Sequence, residues 1–363
     1  MTCKGLTKRS DEGICEEVDM NEGYASLAID YTKELLAIDS PTGMTAKAEQ
    51  YVVDKLSDMG YSVKHTNKGG VLADLGGEGA GLLFSAHIDT LGAMVCEIKG
   101  NGALRATNIG GLNANNVETE TCRVYTRSNG VLEGTFQLCN ASIHVNKSYN
   151  DTKRDFSSIE VLLDSKTKNA ADTKALGVDV GDFICVEPRT IVTSEGFIKS
   201  RFLDDKLSAG MLLAYARFVK DEKVSLRHHV YLYFTVYEEV GHGAASNIPD
   251  DVMEMVAVDM GCVGDGLNCR ETQVSICAKD SSGPYNKAVV DKLVEAAKAS
   301  GSDYAIDIYP FYSSDCGAML GSGRDVRHGL IGSGVYASHG YERSHRDGVL
   351  NTLKTIEAYE RLN

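Results

Sequence analysis

The sequence predicts an α/β fold, a three-layer sandwich around a mostly parallel central sheet, interrupted by an all-β inserted domain. Three observations carry this. Segments with apolar residues every three or four positions, as on a buried helix face, alternate with short apolar runs that read as strands. Several of those runs are continuously apolar, which marks strands covered on both faces. From roughly 91 to 187 the alternation stops, and β-branched runs separated by glycine and asparagine turns take over. A chain of 363 residues is long enough for one large domain carrying such an insertion.

Taken in order, residues 1–22 are polar and acid-rich and predict a flexible acidic tail. Ala28, Tyr31, Leu35 and Leu36 then set a helical period that Pro41 stops. Ala48, Val52, Leu56 and Met59 set a second, with Gly60 placed to cap it. YSVKHT, GVLADLG and LLFSAH follow as strands. RVYTR, ASIHV, IEVLLD and DFICVEP are the strand-like runs of a barrel-like insertion over 91–187, so that 23–90 and 188–363 form one domain. Helix and strand alternate again afterwards. DDKLSAGMLLAYARFVKD is helical, VYLYFTVY and VMEMVAVDMG are strands, and PYNKAVVDKLVEAAKASG opens a helix at Pro284. SDYAIDIYP, HGLIGSGVY and a last helix, DGVLNTLKTIEAYERL, complete the set.

Charge narrows the function classes. Lysine and arginine number 37 against 51 aspartates and glutamates, a formal net charge of −14, which opposes non-specific attraction to nucleic acid or to anionic membrane. No apolar run is long enough to span a bilayer, and the start lacks the apolar core of a secretory signal, so the expectation is a soluble, cytoplasmic chain. Ten cysteines without a C-x-x-C pair or a regular framework are expected to be reduced thiols.

In open α/β sheets chemistry gathers where strands end. "LLFSAHID" ends in His87 and Asp89, and the aspartate two residues on can hold one imidazole nitrogen while the other meets a metal. "RFLDDKLSAG" puts Asp204 and Asp205 at a helix start, where capping alone would explain acids. "VYEEVGHG" delivers Glu238 and Glu239 together at the end of a buried strand, "VAVDMG" places Asp259 at another, and "GVYASHGYERSH" supplies His339 and His345. Each has an ordinary reading as a turn or cap residue. Together they are the nitrogen and oxygen donors that borderline-hard divalent cations require.

The order of these motifs resembles the dinuclear-metal aminopeptidases of the glutamyl and leucyl type, a zinc-peptidase-like family whose members assemble into tetrahedral (TET) particles. AHIDTLG, LDDKLSAG, YEEVGHGAA, VAVDMG and SSDCGAM each look like one of its motifs, and the insertion looks like its inserted domain. The resemblance implies two divalent cations, zinc first, with cobalt or manganese as alternatives. It implies that Asp204 bridges them, with His87 and Asp259 on one and Glu239 and His339 on the other. Glu238 becomes the general base, with Asp89 and Asp315 as supports. His345, six residues past His339, is the alternative final ligand. Thr90, Lys206 and Ser208 depart from the family pattern, where Glu, Arg and Gly are usual.

The function implied is hydrolysis of the N-terminal peptide bond of short peptides, by a homo-oligomer, dimer or dodecamer, that contacts itself through the insertion. A related metal-dependent carboxypeptidase or deacylase of N-acyl amino acids and small amides is the alternative within hydrolases. A non-catalytic assembly protein with the same fold is the alternative outside them. Arg324, Arg327 and His328 either favour an acidic substrate side chain or lie on the surface.

Overall fold

The computed structural model describes residues 6–8 and 16–362. Much of the tail expected over 1–22 lies outside the described residues. Within them Leu6–Lys8 pairs antiparallel with Glu16–Val18, and the Met20 backbone N–H donates to the buried Glu357 at 2.9 Å. The first helix, Glu22–Leu36, is capped by the Asn21 side chain.

Four parallel strands, His229–Thr235, Gly81–His87, Val252–Val258 and Arg327–Tyr336, lie side by side at the centre of a large sheet. Antiparallel strands continue it at both sides, including Ser62–His65 and Val71–Gly76. Side chains alternate along each central strand, so neighbours enter different layers. Leu82, Phe84, Leu232, Val256 and Val258 pack beneath the helices Glu22–Leu36, Leu203–Asp221, Lys287–Ala299 and Arg346–Arg361. Leu83, Tyr233, Met255 and Ala257 enter a second core with Cys316 and Met319 of the short helix Asp315–Gly321. That double cover is why these runs read as continuously apolar.

The strands Gly92–Ile98, Leu104–Ile109, Thr121–Thr126, Gly130–Leu138, Ile159–Leu163 and Phe183–Val186 close a separate small barrel. One predicted strand is absent from it. ASIHV forms turns, with Ile143 and Val145 exposed and no strand beside them, because β-branched residues hold a strand only where a partner and a buried face are supplied. Pro284 likewise lies before its helix, which starts at Lys287 under an Asn286 cap. The cysteines of the described residues include buried Cys122, Cys185, Cys269, Cys277 and Cys316, all free. No helix among the described residues is long and apolar enough to cross a membrane.

Close backbone contact at the sheet's centre fixes one strand end. A methyl group on Gly332 would overlap the Asp259 carbonyl oxygen, and the Asp259 N–H donates to the Ile331 carbonyl at 2.9 Å. Gly332→Ala is therefore expected to cost about 1–3 kcal/mol or more, since backbone rather than a flexible side chain must yield. A lowered midpoint of urea unfolding measures it.

Candidate active site

The register of the parallel strands decides which residues meet. Thr235 lies opposite His87, and Val258 opposite Ile331, so the carboxyl ends share one edge of the sheet. Just beyond that edge stand Asp89, Glu238, Glu239 and Asp259. Asp204 and Asp205 approach from the start of the Leu203–Asp221 helix, where both depart from helical backbone geometry and are joined by a cis peptide bond. They are not caps. Asp204 faces the two histidines, while Asp205 accepts the His87 backbone N–H at 3.2 Å.

His87 is the centre of the cluster and is buried. Its Nε2 lies 3.0 Å from Asp204 Oδ1 and 3.6 Å from Glu238 Oε2. His339 Nε2 lies 3.6 Å from Asp204 Oδ2 and 3.7 Å from Glu239 Oε2. Ligand atoms of His87, Asp204 and Glu239 fall within 4.8 Å of one another, as do those of His87, Asp205 and Asp259. His87, Asp204, Glu238, Glu239, Asp259 and His339 thus converge, whereas Arg324, Arg327 and His328 pair elsewhere and the alternative His345 stands apart. That ring caps the last helix by accepting from the Asp347 N–H and donates to the Glu195 carbonyl at 2.8 Å.

Asp89 acts differently from the sequence expectation. Its backbone carbonyl, at 2.9 Å, holds His87 Nδ1, whereas its carboxylate is 3.7 Å away. The carboxylate instead accepts the Thr42 hydroxyl at 2.6 Å and the Glu238 backbone N–H at 3.2 Å. Asp315 accepts the Thr235 hydroxyl and the Ala244 N–H, at 2.7 and 2.9 Å, and so holds the far side of the glutamate turn. Lys68 donates to the His242 and Gly243 carbonyls of the same turn.

Other contributors were not assigned from sequence. Asp205 looked like a cap residue beside its neighbour. Glu342 accepts the backbone N–H groups of Asp204 and His339 at 3.1 and 2.9 Å, tying two candidate ligands together; its place in HGYE was the available signal. The barrel also reaches the site. Asn116 donates to the His339 carbonyl at 3.0 Å, and Gly111 packs so tightly on the His339 ring that a side chain would strike Nδ1.

The electrostatics call for a cation. A carbonyl oxygen only accepts, so His87 Nδ1 carries its proton and Nε2 faces the Asp204 carboxylate with either a second proton or a bound cation between them. Burial works against an imidazolium, but Asp204, Glu238, Asp205 and Asp259 outweigh it and raise the His87 pKa well above its usual value. Burial first, then neighbouring negative charge, pushes the carboxyl groups of Asp205, Glu238, Glu239 and Glu342 well up, and Asp259 up to about 7. Asp204 alone goes down: burial opposes this, but its hydrogen bond to His87 and the two imidazoles prevail. Glu239 Oε1 and Asp205 Oδ1 are buried without any hydrogen-bond partner. Carboxylate and imidazole donors crowded in this way, with unpartnered oxygens, fit divalent cations.

The large, mostly parallel sheet with its separate small barrel matches the fold of TET peptidases. The chain belongs to the M42 glutamyl aminopeptidase family, whose profile matches residues 69–355, and it is a hydrolase acting on peptide bonds. It is 41% identical over 329 residues to the "Putative aminopeptidase YhfE" of Bacillus subtilis, covering 90% of this chain and 95% of that one. Its fold matches aminopeptidase APDkam598 of Desulfurococcus kamchatkensis with a TM-score of 0.83 at 20% identity, over 94% of this chain and 96% of the other. The Pyrococcus horikoshii TET1 peptidase, described as assembling into a tetrahedron or a large octahedral shell, matches with a TM-score of 0.80 at 20% identity, over 91% and 98%.

Proposed function

We propose that the chain is a metal-dependent aminopeptidase that removes the N-terminal residue of short peptides. Two divalent cations would be held at the site, one by His87 and Asp259 and the other by Glu239 and His339, with Asp204 placed to serve both. The observation that carries this reading is the His87–Asp204 contact at 3.0 Å inside a buried crowd of carboxylates, an arrangement that positive charge must stabilise. Zinc is the proposed ion, and cobalt and manganese suit the same donors.

Cations bound there supply Lewis acidity, polarising the scissile carbonyl and acidifying the attacking water. Glu238 is the general base. It lies beside the ligand set, accepts the proton of the attacking water and delivers it to the leaving amine nitrogen. Asp89 positions both partners, since its carbonyl fixes the His87 tautomer and its carboxylate holds the Glu238 backbone. Asp315 and Lys68 brace the turn on which Glu238 and Glu239 sit.

The domain division at 90/91 and 187/188 follows the barrel, which serves as the self-association element of a cytoplasmic homo-oligomer, a dimer or a dodecamer. Likeness in fold to peptidases that assemble as TET particles supports this.

The test strips the protein with a chelator, restores zinc, cobalt or manganese in turn, and compares aminoacyl anilides bearing a free amine with their N-acetylated counterparts. Cation should restore cleavage of the free-amine substrates only. Preferential cleavage of the acetylated set would make the chain a deacylase, and no rescue by any cation would remove the metal reading.

A further inference from the structure

We propose that this enzyme selects peptides whose N-terminal side chain is uncharged, and discriminates against the acidic side chain for which its family is titled. The inference rests on the aminopeptidase reading and deepens it. A cavity of about 330 Å³ contains Asp204, Glu238, Glu239, Asp259 and His339, so a scissile bond attacked at this cluster has its flanking groups in that space. Setting those five aside, its walls are Met260, Cys262, Phe311, Tyr312, Ser313 and Ser338, together with Gly241. Gly241 and Ser313 also line an adjoining cavity of about 400 Å³, whose other walls are His242 and a run of small serine, alanine and glycine residues.

Among the described residues, neither cavity is lined by a lysine or arginine, and the second by no carboxylate. An acidic side chain entering this space would lose water without meeting a protein cation, and any divalent ions held by the cluster would be taken up by the water and the scissile carbonyl. A lysine or arginine side chain would find only carboxylates already engaged as ligands or as the base. The cations that sequence offered for acid recognition are spent elsewhere. Arg324 pairs with Asp250 at 3.3 Å, Arg327 with Glu254 at 2.9 Å, and His328 packs against the Tyr285 ring. A third cavity, which does carry Lys47, Lys68 and His65, shares no lining residue with the first. What remains is uncharged surface, the thioether of Met260, the thiol of Cys262, the rings of Phe311 and Tyr312 and the hydroxyls of Ser313 and Ser338, with Phe311 97% exposed, suited to uncharged aliphatic or thioether side chains.

The experiment uses the full chain loaded with zinc or cobalt and the p-nitroanilides of leucine, methionine, glutamate, lysine and arginine. Leucine and methionine are expected to exceed the three charged substrates by about 100-fold in kcat/KM, the scale on which a buried unpaired charge is rejected. If glutamate, lysine or arginine equals or exceeds leucine, the specificity proposal is overturned while the aminopeptidase reading stands. Turnover of none of them, with turnover of N-acetylated substrates, overturns both. Ser313 is exposed, so Ser313→Arg should fold normally and place a cation where the two cavities join. It is expected to raise the glutamate-to-leucine ratio about tenfold; an unchanged ratio with leucine activity retained would show that the side chain binds elsewhere.

Discussion

Replacing Glu238 by glutamine is expected to lower kcat by about 10²–10⁴-fold, the contribution typical of a positioned general base, while leaving bound metal unchanged. Glutamine matches the size of the side chain but cannot take a proton. The Glu238 backbone N–H is held by Asp89 whatever the side chain, and the proposed ligands are other residues, so the cations have no reason to leave. Metal content by elemental analysis and turnover of a free-amine anilide read the two quantities separately. Loss of metal along with activity would make Glu238 a ligand. Activity within tenfold of the parent would leave the base to be found elsewhere, with the buried carboxylates Asp205 and Glu342 the next to replace.

Most of the fold was legible because strands buried on two faces have to be apolar throughout, and the residue that breaks each run then marks a strand's carboxyl end. His87, Glu238 and Asp259 were visible for that reason. Asp205 was not, because an acid beside a helix start satisfies the helix dipole equally well, and only the non-helical backbone at Asp204 and Asp205 separates the two roles. The contribution of Asp89 was legible as a position but not as an atom, since a spacing of two residues does not say whether carbonyl or carboxylate meets the imidazole. Gly111 and Asn116 could not have been found. They lie in the barrel, more than two hundred residues from His339, and no local pattern records a contact made by folding one domain against another. In space His339 stands beside Asp204 and Glu239, its backbone held by the nearby Glu342, whereas His345 caps the last helix.

Asp204→Asn is expected to abolish binding of both cations, to reduce activity at least as far as loss of the base does, and to remove the effect of chelator on thermal stability. Asp204 stands between the two histidines, 3.0 Å from His87 Nε2 and 3.6 Å from His339 Nε2. An amide there offers neither charge nor a second anionic oxygen for sharing. Ligand that binds only the folded state stabilises it by about 2.7 kcal/mol at a hundredfold excess over Kd, so the parent protein should melt at a lower temperature once stripped. The variant has no such contribution to lose. Its metal-free form loses the charge-assisted hydrogen bond between His87 and Asp204 that holds the Asp204 pKa down in the stripped parent, which outweighs any repulsion relieved among Asp205, Glu238, Glu239 and Asp259, so its melting temperature should fall at or somewhat below that of the stripped parent. Thermal unfolding of both proteins with and without chelator gives the comparison. A variant whose melting temperature falls with chelator as far as the parent's does would show that Asp204 is not the ligand the two cations share.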